Sequence, residues 1–544
     1  MTVRGRQIIL LCTILSLFCL SVWASYSLGH QSKMYSNPVY RWRQSMAVAL
    51  SRMQNKPLHG YLAYRSIVNY FAQHGLPIWR SEAKTIPTAQ QTKQLVTDPA
   101  RIQALIVGAS KAPINFNLKP DIIKGNEKGL ADFYYIAFTL FGISIASFVI
   151  LYYLMLFIST ILFTYSFRDS PFCLFLLSLY LIGHFYMVEF YSALEGLNVV
   201  HNSRFFPVLS LLPAMHLALL ALRRTRPSFG QIVAAALQTF LLMFIMFCRA
   251  QAAWQAFAVL ALPVLLISPT MLLRALRQFL TRPISRRSRA YARRLIIATW
   301  PSMLVLIGLI GYVAYPTFAF NRTYYAADST THVFWHNLYS GTVSSSPALM
   351  KLYSFAARPN TDQLSYNGVM HELNARKDEL LKNRKDPAWA IAFQHQGKLY
   401  ISPEKAMGVY DRLVRGIFFK LVRAHPWLAL QSFLIGKPEQ QIEAFAYTSL
   451  ARPITYVPIL ILALATSILA VLLNIRPSNR GEFVLAAKAI IFIAAFAAIP
   501  TLIFPSVLIV GTVLFLLMAF MIGAIFLPVV FAAEYMRPNL AAAH

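Results

Sequence analysis

The chain has 544 residues, of which 57% are hydrophobic and only 13% charged, and this excludes an ordinary soluble protein. Its 50 Lys and Arg against 20 Asp and Glu do not imply nucleic acid, because membrane proteins collect basic residues on cytoplasmic loops. All four cysteines lie in apolar runs and indicate neither a disulfide framework nor a metal site. Composition therefore predicts an α-helical polytopic membrane protein.

Ten apolar runs reach or approach the roughly 20 residues that a helix needs to cross a bilayer. The first follows Arg4 and Arg6, and we expect it to be retained as a transmembrane helix rather than cleaved as a signal peptide. The runs cover approximately residues 8–24, 132–165, 170–192, 205–222, 230–248, 253–273, 296–316, 455–473, 483–504 and 506–531.

Short basic loops set the predicted orientation. The loops at 223–228, 276–294 and 474–482 are rich in Arg, so the positive-inside rule places them and both termini in the cytoplasm of a plasma (inner) membrane. The predicted division is 1–25 first transmembrane helix, 26–130 first exterior segment, 131–316 helices two to seven, 317–453 second exterior domain, and 454–544 helices eight to ten with a cytoplasmic tail. Both exterior segments are predicted to be mainly helical.

The first exterior segment is strongly basic. Between residues 26 and 130 it contains fourteen Lys and Arg but only four acids, Glu82, Asp98, Asp121 and Glu127. This excess suggests an anionic partner, such as a lipid head group, a phosphate-linked sugar or an acidic glycan, although a solvated surface would look the same.

The second exterior segment contains a basic amphipathic helix. Proline after a capping residue predicts its start at Ser402–Pro403, as it does for a helix at Asp98–Pro99. Apolar residues recur at helical spacing from Tyr410 to Leu421, with Arg and Lys largely off that stripe. This pattern fits a helix at the membrane surface or one docked on the domain's own core.

Two groups of carboxylates lie where the predicted topology places the exterior face. Glu127 and Asp132 open the second span, and Glu189 lies near the end of the third. Such carboxylates could act as a general base or hold a divalent cation. Alternatively, the first two stabilise the start of a helix, and Glu189 forms a structural ion pair with Arg204.

Two arginines are candidate phosphate ligands at the same face. Arg204 opens the fourth span after His201, which is a further candidate for substrate binding, and Arg249 ends the fifth. A guanidinium binds phosphate through paired hydrogen bonds, but a lone interfacial arginine also extends its charge to water.

The stretch Tyr324–Ser346 follows the seventh span and supplies the remaining candidates, Asp328, His332, Trp335 and His336. The two histidines are four residues apart and would share a helix face, where they could bind a metal or exchange protons. No third ligand follows at zinc spacing, so we predict no metal site at these two histidines. Trp335 suits a sugar-stacking platform or an interfacial aromatic belt.

The segment "YISPEKAMGVYDRLVRGIFFKLVRAHPWLALQSFLIGKP", Tyr400–Pro438, resembles a helical segment of bacterial GT-C-type membrane glycosyltransferases. The layout of one helix, a long exterior loop, many spans and a second exterior domain is similar to that family over most of the chain. The resemblance implies glycosyl transfer at the exterior face from a polyprenyl-phosphate-linked sugar, in cell-envelope glycan or glycolipid synthesis. It also implies that a carboxylate deprotonates the acceptor and that Arg204 and Arg249 stabilise the leaving phosphate.

One departure from the family is clear. The family usually carries a catalytic acid soon after the first helix, and "SYSLGHQSKMYSNPVYRWRQS" contains none. Either Glu127 and Asp132 supply the base, or the chain is not a working enzyme. The alternatives are a polysaccharide transporter, a flippase, an assembly scaffold or an O-antigen-type polymerase. No nucleotide-binding or hydrolase motif is present in the sequence, which disfavours ATP-driven transport.

Overall fold

The structure, a computed structural model, describes residues 8, 11–20, 22–23, 37–54, 64–74, 99–114, 128–195, 205–223, 226–249, 252–266, 286–319, 334–355, 361–401, 406–440, 493 and 496. The described chain is mostly helical, as predicted. The predicted spans beyond residue 454 lie outside the described residues, apart from Ile493 and Phe496.

A first set of helices packs around one apolar core. These helices are α1 Leu11–Leu20, α2 Asn37–Gln54, α3 Tyr64–Gln73, α4 Pro99–Ser110, α5 Lys128–Phe141, α6 Ala146–Phe167, α7 Pro171–Glu195, α8 Phe206–Arg223, α9 Phe229–Cys248, α10 Ala253–Leu266 and α11 Arg286–Ala319. We call this set the bundle. The start of α4 at Pro99 agrees with the proline signal in the sequence, while Asp98 lies outside the described residues.

Three described helices, α6, α8 and α9, are long and apolar enough to cross a membrane. Shorter apolar helices accompany them, including α5 and α10. Large apolar side chains such as Ile161 on α6 and Phe240 on α9 face outward, which is expected of a surface that meets lipid rather than water. The structure thus describes a helical membrane protein in coarse outline.

Helices α6 and α9 run antiparallel through the bundle. Buried Ser159 and Gln238 join them, with the Ser159 hydroxyl donating to the Gln238 side-chain oxygen at 2.8 Å and the Gln238 amide donating to the Ser159 carbonyl at 2.8 Å. These mutual bonds satisfy polar groups that lipid or an apolar core would leave unpaired. The Gln231 amide near the start of α9 also donates to the Ser166 carbonyl near the end of α6 at 3.4 Å, so the start of α6 and the end of α9 lie at one end of the bundle.

The predicted second span, 132–165, is broken rather than continuous, and this corrects the sequence prediction. The chain turns at Gly142, whose φ of +85° lies in the left-handed region that glycine adopts readily. Gly129, at the start of α5, touches the end of α9 so closely that a Cβ would overlap the backbone of Phe247. Farther along α5, the Phe138 ring lies 5.0 Å from the ring of Phe148 near the start of α6. Helix α5 consequently lies across one end of the bundle, which we call the Asp132 end.

A second group of elements builds a separate apolar core. They are α12 Phe334–Ser344, α13 Pro347–Tyr353, α14 Thr361–Ala375, α15 Lys377–Lys382, a 3₁₀ turn Pro387–Ala390, β1 Ala392–His395, β2 Lys398–Ile401, α16 Met407–Ala424, α17 Pro426–Gln431 and a π turn Ser432–Gly436. We call this group the second unit. It corresponds to part of the predicted second exterior domain.

The strands β1 and β2 form an antiparallel hairpin that the sequence reading did not anticipate. Their register pairs Ala392 with Ile401 and His395 with Lys398. Gln396 and Gly397 form the two-residue loop and have φ values of 46° and 76°. Two positive φ values match the mirror-image turns whose twist suits tight hairpins.

Helix α16 resolves the open question about the amphipathic stripe. Tyr410, Val414 and Leu421 are completely buried against the second unit's own core, while Arg412 and Arg415 are exposed. The stripe therefore docks on protein and is not itself available to the membrane surface. The helix begins at Met407, and the predicted start at Ser402–Pro403 lies outside the described residues.

Candidate functional site

The ion pair between Arg52 and Asp132 is the main polar feature of the Asp132 end. Arg52 lies in the last turn of α2, and Asp132 lies one turn into α5. The Asp132 side chain is 8% exposed and that of Arg52 is 20% exposed. The Tyr315 hydroxyl of α11 donates to the second carboxylate oxygen at 3.5 Å. Three helices that are distant in sequence thus converge on one carboxylate.

Neighbouring groups fix the position of Arg52. Its guanidinium lies 4.3 Å from the centroid of the Tyr135 ring, a cation–π contact on the helix that carries Asp132. Two residues along the chain, the Gln54 amide donates to the carbonyls of Ser110 at 2.6 Å and Ala112 at 3.2 Å. That amide satisfies carbonyls at the carboxyl end of α4, which would otherwise need water. The end of α2 is therefore held by contacts with both α5 and α4.

Arg249 lies at the same end of the bundle as Asp132. It follows the last residue of α9, and its backbone N–H donates to the Ile245 carbonyl at 2.8 Å. The preceding Cys248 thiol donates to the carbonyl of Gly129 at 3.3 Å, one turn before Asp132 on α5. The structure thus brings together one predicted carboxylate and the end of the helix that carries one predicted arginine.

The other predicted residues of this face are described only in part. Glu189 lies in α7, and nothing is described of its side chain. Glu127, His201 and Arg204 lie outside the described residues, as do Asp328 and His332. Their roles stay predictions.

Polar side chains also meet in the second unit, around His336. The His336 Nδ1 lies 2.7 Å from the hydroxyl of Tyr410, and the ring of Tyr366 lies 5.3 Å from the imidazole. The Ser365 hydroxyl donates to the His336 carbonyl at 2.9 Å. His336 is 5% exposed, so these contacts bury it within the core rather than present it on a surface.

Trp335 packs against aromatic side chains of α16. Its ring lies 5.7 Å from that of Phe418 and 5.3 Å from that of Phe419. This packing within the second unit covers part of the indole ring. A sugar-stacking role for Trp335 would use whatever part of the ring that packing leaves uncovered.

Asp411 is a carboxylate that was not among the candidate residues predicted from the sequence. Burial raises its pKa, and the backbone N–H of Trp335, the nearby His336 and Arg415 act in the opposite direction. Its Oδ1 is buried and has no hydrogen-bond partner among the described residues. In the sequence it belongs to the polar side of an amphipathic helix, where an acid among arginines gives no signal of burial.

Lys437, just beyond the π turn, is a buried cation. It is 3% exposed, and its ammonium lies 4.6 Å from the centroid of the Phe433 ring. Burial lowers the pKa of Lys437 to about 7 from its ordinary 10.5, because the charged form loses its hydration.

Stability of the second unit is expected to rise between about pH 7 and pH 10.5 because of Lys437. In that range the unfolded chain binds the lysine proton more tightly than the folded chain, so folding gains as the pH rises. The gain is complete above the unfolded pKa and is lost as the pH falls through the folded pKa. Proteolytic unfolding of the full chain across this range measures it. Lys437→Met should flatten the rise, and an unchanged profile would contradict the assignment.

Within the described residues, no group of three or more His, Cys, Asp and Glu lies close enough together to hold a metal ion. Comparisons with protein-family models, curated proteins and solved structures gave no match to this chain.

Proposed function

We propose that the chain is a multi-pass glycosyltransferase of the plasma (inner) membrane. In this proposal it takes a sugar from a polyprenyl-phosphate donor at the exterior face, in cell-envelope glycan or glycolipid synthesis. The observation that supports the proposal best is the Arg52–Asp132 pair at one end of an apolar bundle. In this proposal the pair meets the polar head group of a long apolar lipid.

Arg52 is the proposed ligand of the donor phosphate. A guanidinium carries five N–H donors, so pairing with Asp132 and stacking on Tyr135 leave donors for a phosphate. Asp132 and Tyr135 hold the planar group in one orientation, which favours two parallel hydrogen bonds to phosphate oxygens. Arg204 and Arg249 remain further proposed phosphate ligands.

In the proposed reaction the acceptor hydroxyl oxygen attacks the anomeric carbon of the sugar. The bond from that carbon to the phosphate oxygen breaks, and its electron pair leaves with the phosphate, whose growing charge the arginines stabilise. The hydroxyl proton passes to a carboxylate. The candidates are Glu127, Asp132, Glu189 and Asp328.

Arg52→Gln is expected to weaken binding of polyprenyl phosphate to the purified protein in lipid nanodiscs by about 10- to 100-fold, the value of one or two charged hydrogen bonds. Arg52→Lys should recover little, because an ammonium lacks the paired donors. The matched control is Arg168→Gln, which alters an exposed arginine paired with Asp169 at the α6–α7 connection. Equal binding by all three variants, or equal losses at Arg52 and Arg168, would contradict the phosphate site.

Catalysis is tested separately from binding. Glu127→Gln, Asp132→Asn, Glu189→Gln and Asp328→Asn remove the candidate bases one at a time, and loss of a general base costs about 10²–10⁴ in rate. Transfer of a labelled sugar in membranes that carry each variant measures that rate. Full activity in all four variants would exclude the proposed glycosyl transfer reaction.

One observation favours the alternative of a transporter or flippase. His184 is fully buried in the bundle, 2.9 Å from the hydroxyl of Tyr152, and fully buried His216 has no hydrogen-bond partner among the described residues. Ionisable side chains within a membrane often mark the path of a proton or a substrate. Lipid-flipping or proton-flux measurements on vesicles that contain His184→Phe and His216→Phe distinguish this alternative from glycosyl transfer.

A further inference from the structure

An exposed apolar face follows helix α16. Trp427 is 71% exposed, Leu430 46%, Leu434 65% and Ile435 48%. They succeed one another at i, i+3, i+7 and i+8 along α17 and the π turn, so they share one side of a helical segment. We call these four residues the Trp427 face.

The segment cannot simply turn this face inward. On its other side Ala429 is 3% exposed, and the Ser432 hydroxyl donates to the carbonyl of Thr342 at 2.7 Å. Just beyond the π turn, the Gln440 amide donates to the carbonyl of Ser344 at 2.6 Å. These bonds satisfy the carboxyl end of α12 and fix which side of the segment faces out.

Neighbouring elements extend the surface. Leu352 is 50% exposed on α13, a helix that packs against α17. Arg423 is exposed in the last turn of α16, four residues before Trp427, and Arg415 is exposed two turns earlier on the same helix. An apolar face with a large aromatic residue and a basic margin is typical of segments that lie in the head-group region of an anionic bilayer.

We propose that the Trp427 face is a membrane-docking surface that inserts among the lipids of an anionic bilayer. The chain itself argues for this occupant, because the second unit is tied to apolar segments on both sides. Fourteen residues separate α11 from α12, and the sequence predicts the next span about twenty residues beyond Ile435. Such short connections keep the face within reach of a membrane surface. The inference is independent of glycosyl transfer.

Nitroxide labels on the full-length protein test the proposal in vesicles of phosphatidylcholine and phosphatidylglycerol. Labels go on Leu430→Cys, Leu434→Cys and, as a water-exposed control, Lys382→Cys, in a chain whose native cysteines are replaced by serine or alanine. At the two test positions we expect oxygen, which is soluble in lipid, to relax the label strongly and a water-soluble nickel complex to relax it weakly. The labels should lie about 5–10 Å below the head groups.

Two results would overturn the docking surface. Labels that respond to nickel as strongly as the Lys382 control would place the face in water. Labels that are immobile and shielded from both reagents would show that a second copy or another protein covers it. In vesicles of phosphatidylcholine alone the depth should decrease, and an unchanged depth would refute the anionic requirement. Arg423→Glu in the anionic vesicles should reproduce the shallower position.

Discussion

Val414→Asp is expected to unfold the second unit. Val414 is completely buried in the apolar core that α16 shares with α12 and α14. An ionised carboxylate placed there loses its hydration without a partner, at a cost of several kcal/mol. Because whole domains are stable by only about 5–15 kcal/mol, one such change removes much of the margin.

Limited proteolysis of membranes that carry the variant measures this effect. Cleavage within residues 334–440 should become rapid in Val414→Asp, while the bundle keeps its protease resistance. Arg412→Asp is the matched control, since it introduces the same side chain at an exposed position on the same helix. Wild-type resistance in Val414→Asp would mean that α16 does not pack as described.

Asp132→Ala is expected to destabilise the bundle by about 3 kcal/mol, at the lower end of the range for a buried ion pair that loses one partner. The reason is that the Arg52 guanidinium, only 20% exposed, would keep its charge without a counter-ion. The lower end applies because that partial exposure lets water reach the guanidinium. Unfolding of the protein in mixed micelles of denaturing and mild detergent measures the change.

A double-mutant cycle separates the ion pair from the packing around it. Arg52→Leu combined with Asp132→Ala should be less destabilising than the sum of the two single changes, because neither charge then remains unpaired. The same cycle on exposed Arg168 and Asp169 serves as the control and should give no measurable coupling. Additive effects at Arg52 and Asp132 would show that the two side chains do not interact.

The helices could be predicted from the sequence because they depend on local periodicity. Helices α8 and α9 begin and end within a few residues of the predicted runs, since each run is apolar, bounded by polar residues and free of competing signals. The stripe on α16 was also predicted correctly at its two ends, Tyr410 and Leu421, which are both completely buried. The hairpin was missed because "AFQHQGKLYI" is short and lacks strict alternation of apolar residues.

The candidate site was much harder to predict from the sequence. Asp132 stood out because an acid at the entrance to an apolar run is unusual, but its partner Arg52 lies 80 residues earlier. Arg52 is one of fourteen basic residues in its segment, and nothing local distinguishes it from the rest. Only the packing of α2 on α5 makes it special. The same holds for Asp411 and His336, which approach each other through the tertiary contact of α12 with α16.

The turn at Gly142 divides one long apolar run of the sequence into two shorter helices. At 1.5 Å per residue, an unbroken helix over 132–165 would be about 50 Å long, well beyond the roughly 30 Å of a hydrocarbon layer. A straight helix of that length would have to tilt steeply or deform the bilayer. Because of the turn, the length of α6 matches the thickness of the hydrocarbon layer. The apolar residues of α5 instead pack across the Asp132 end. A substitution such as Gly142→Val is expected to strain the turn, and with it the position of α5, because valine disfavours the positive φ found there.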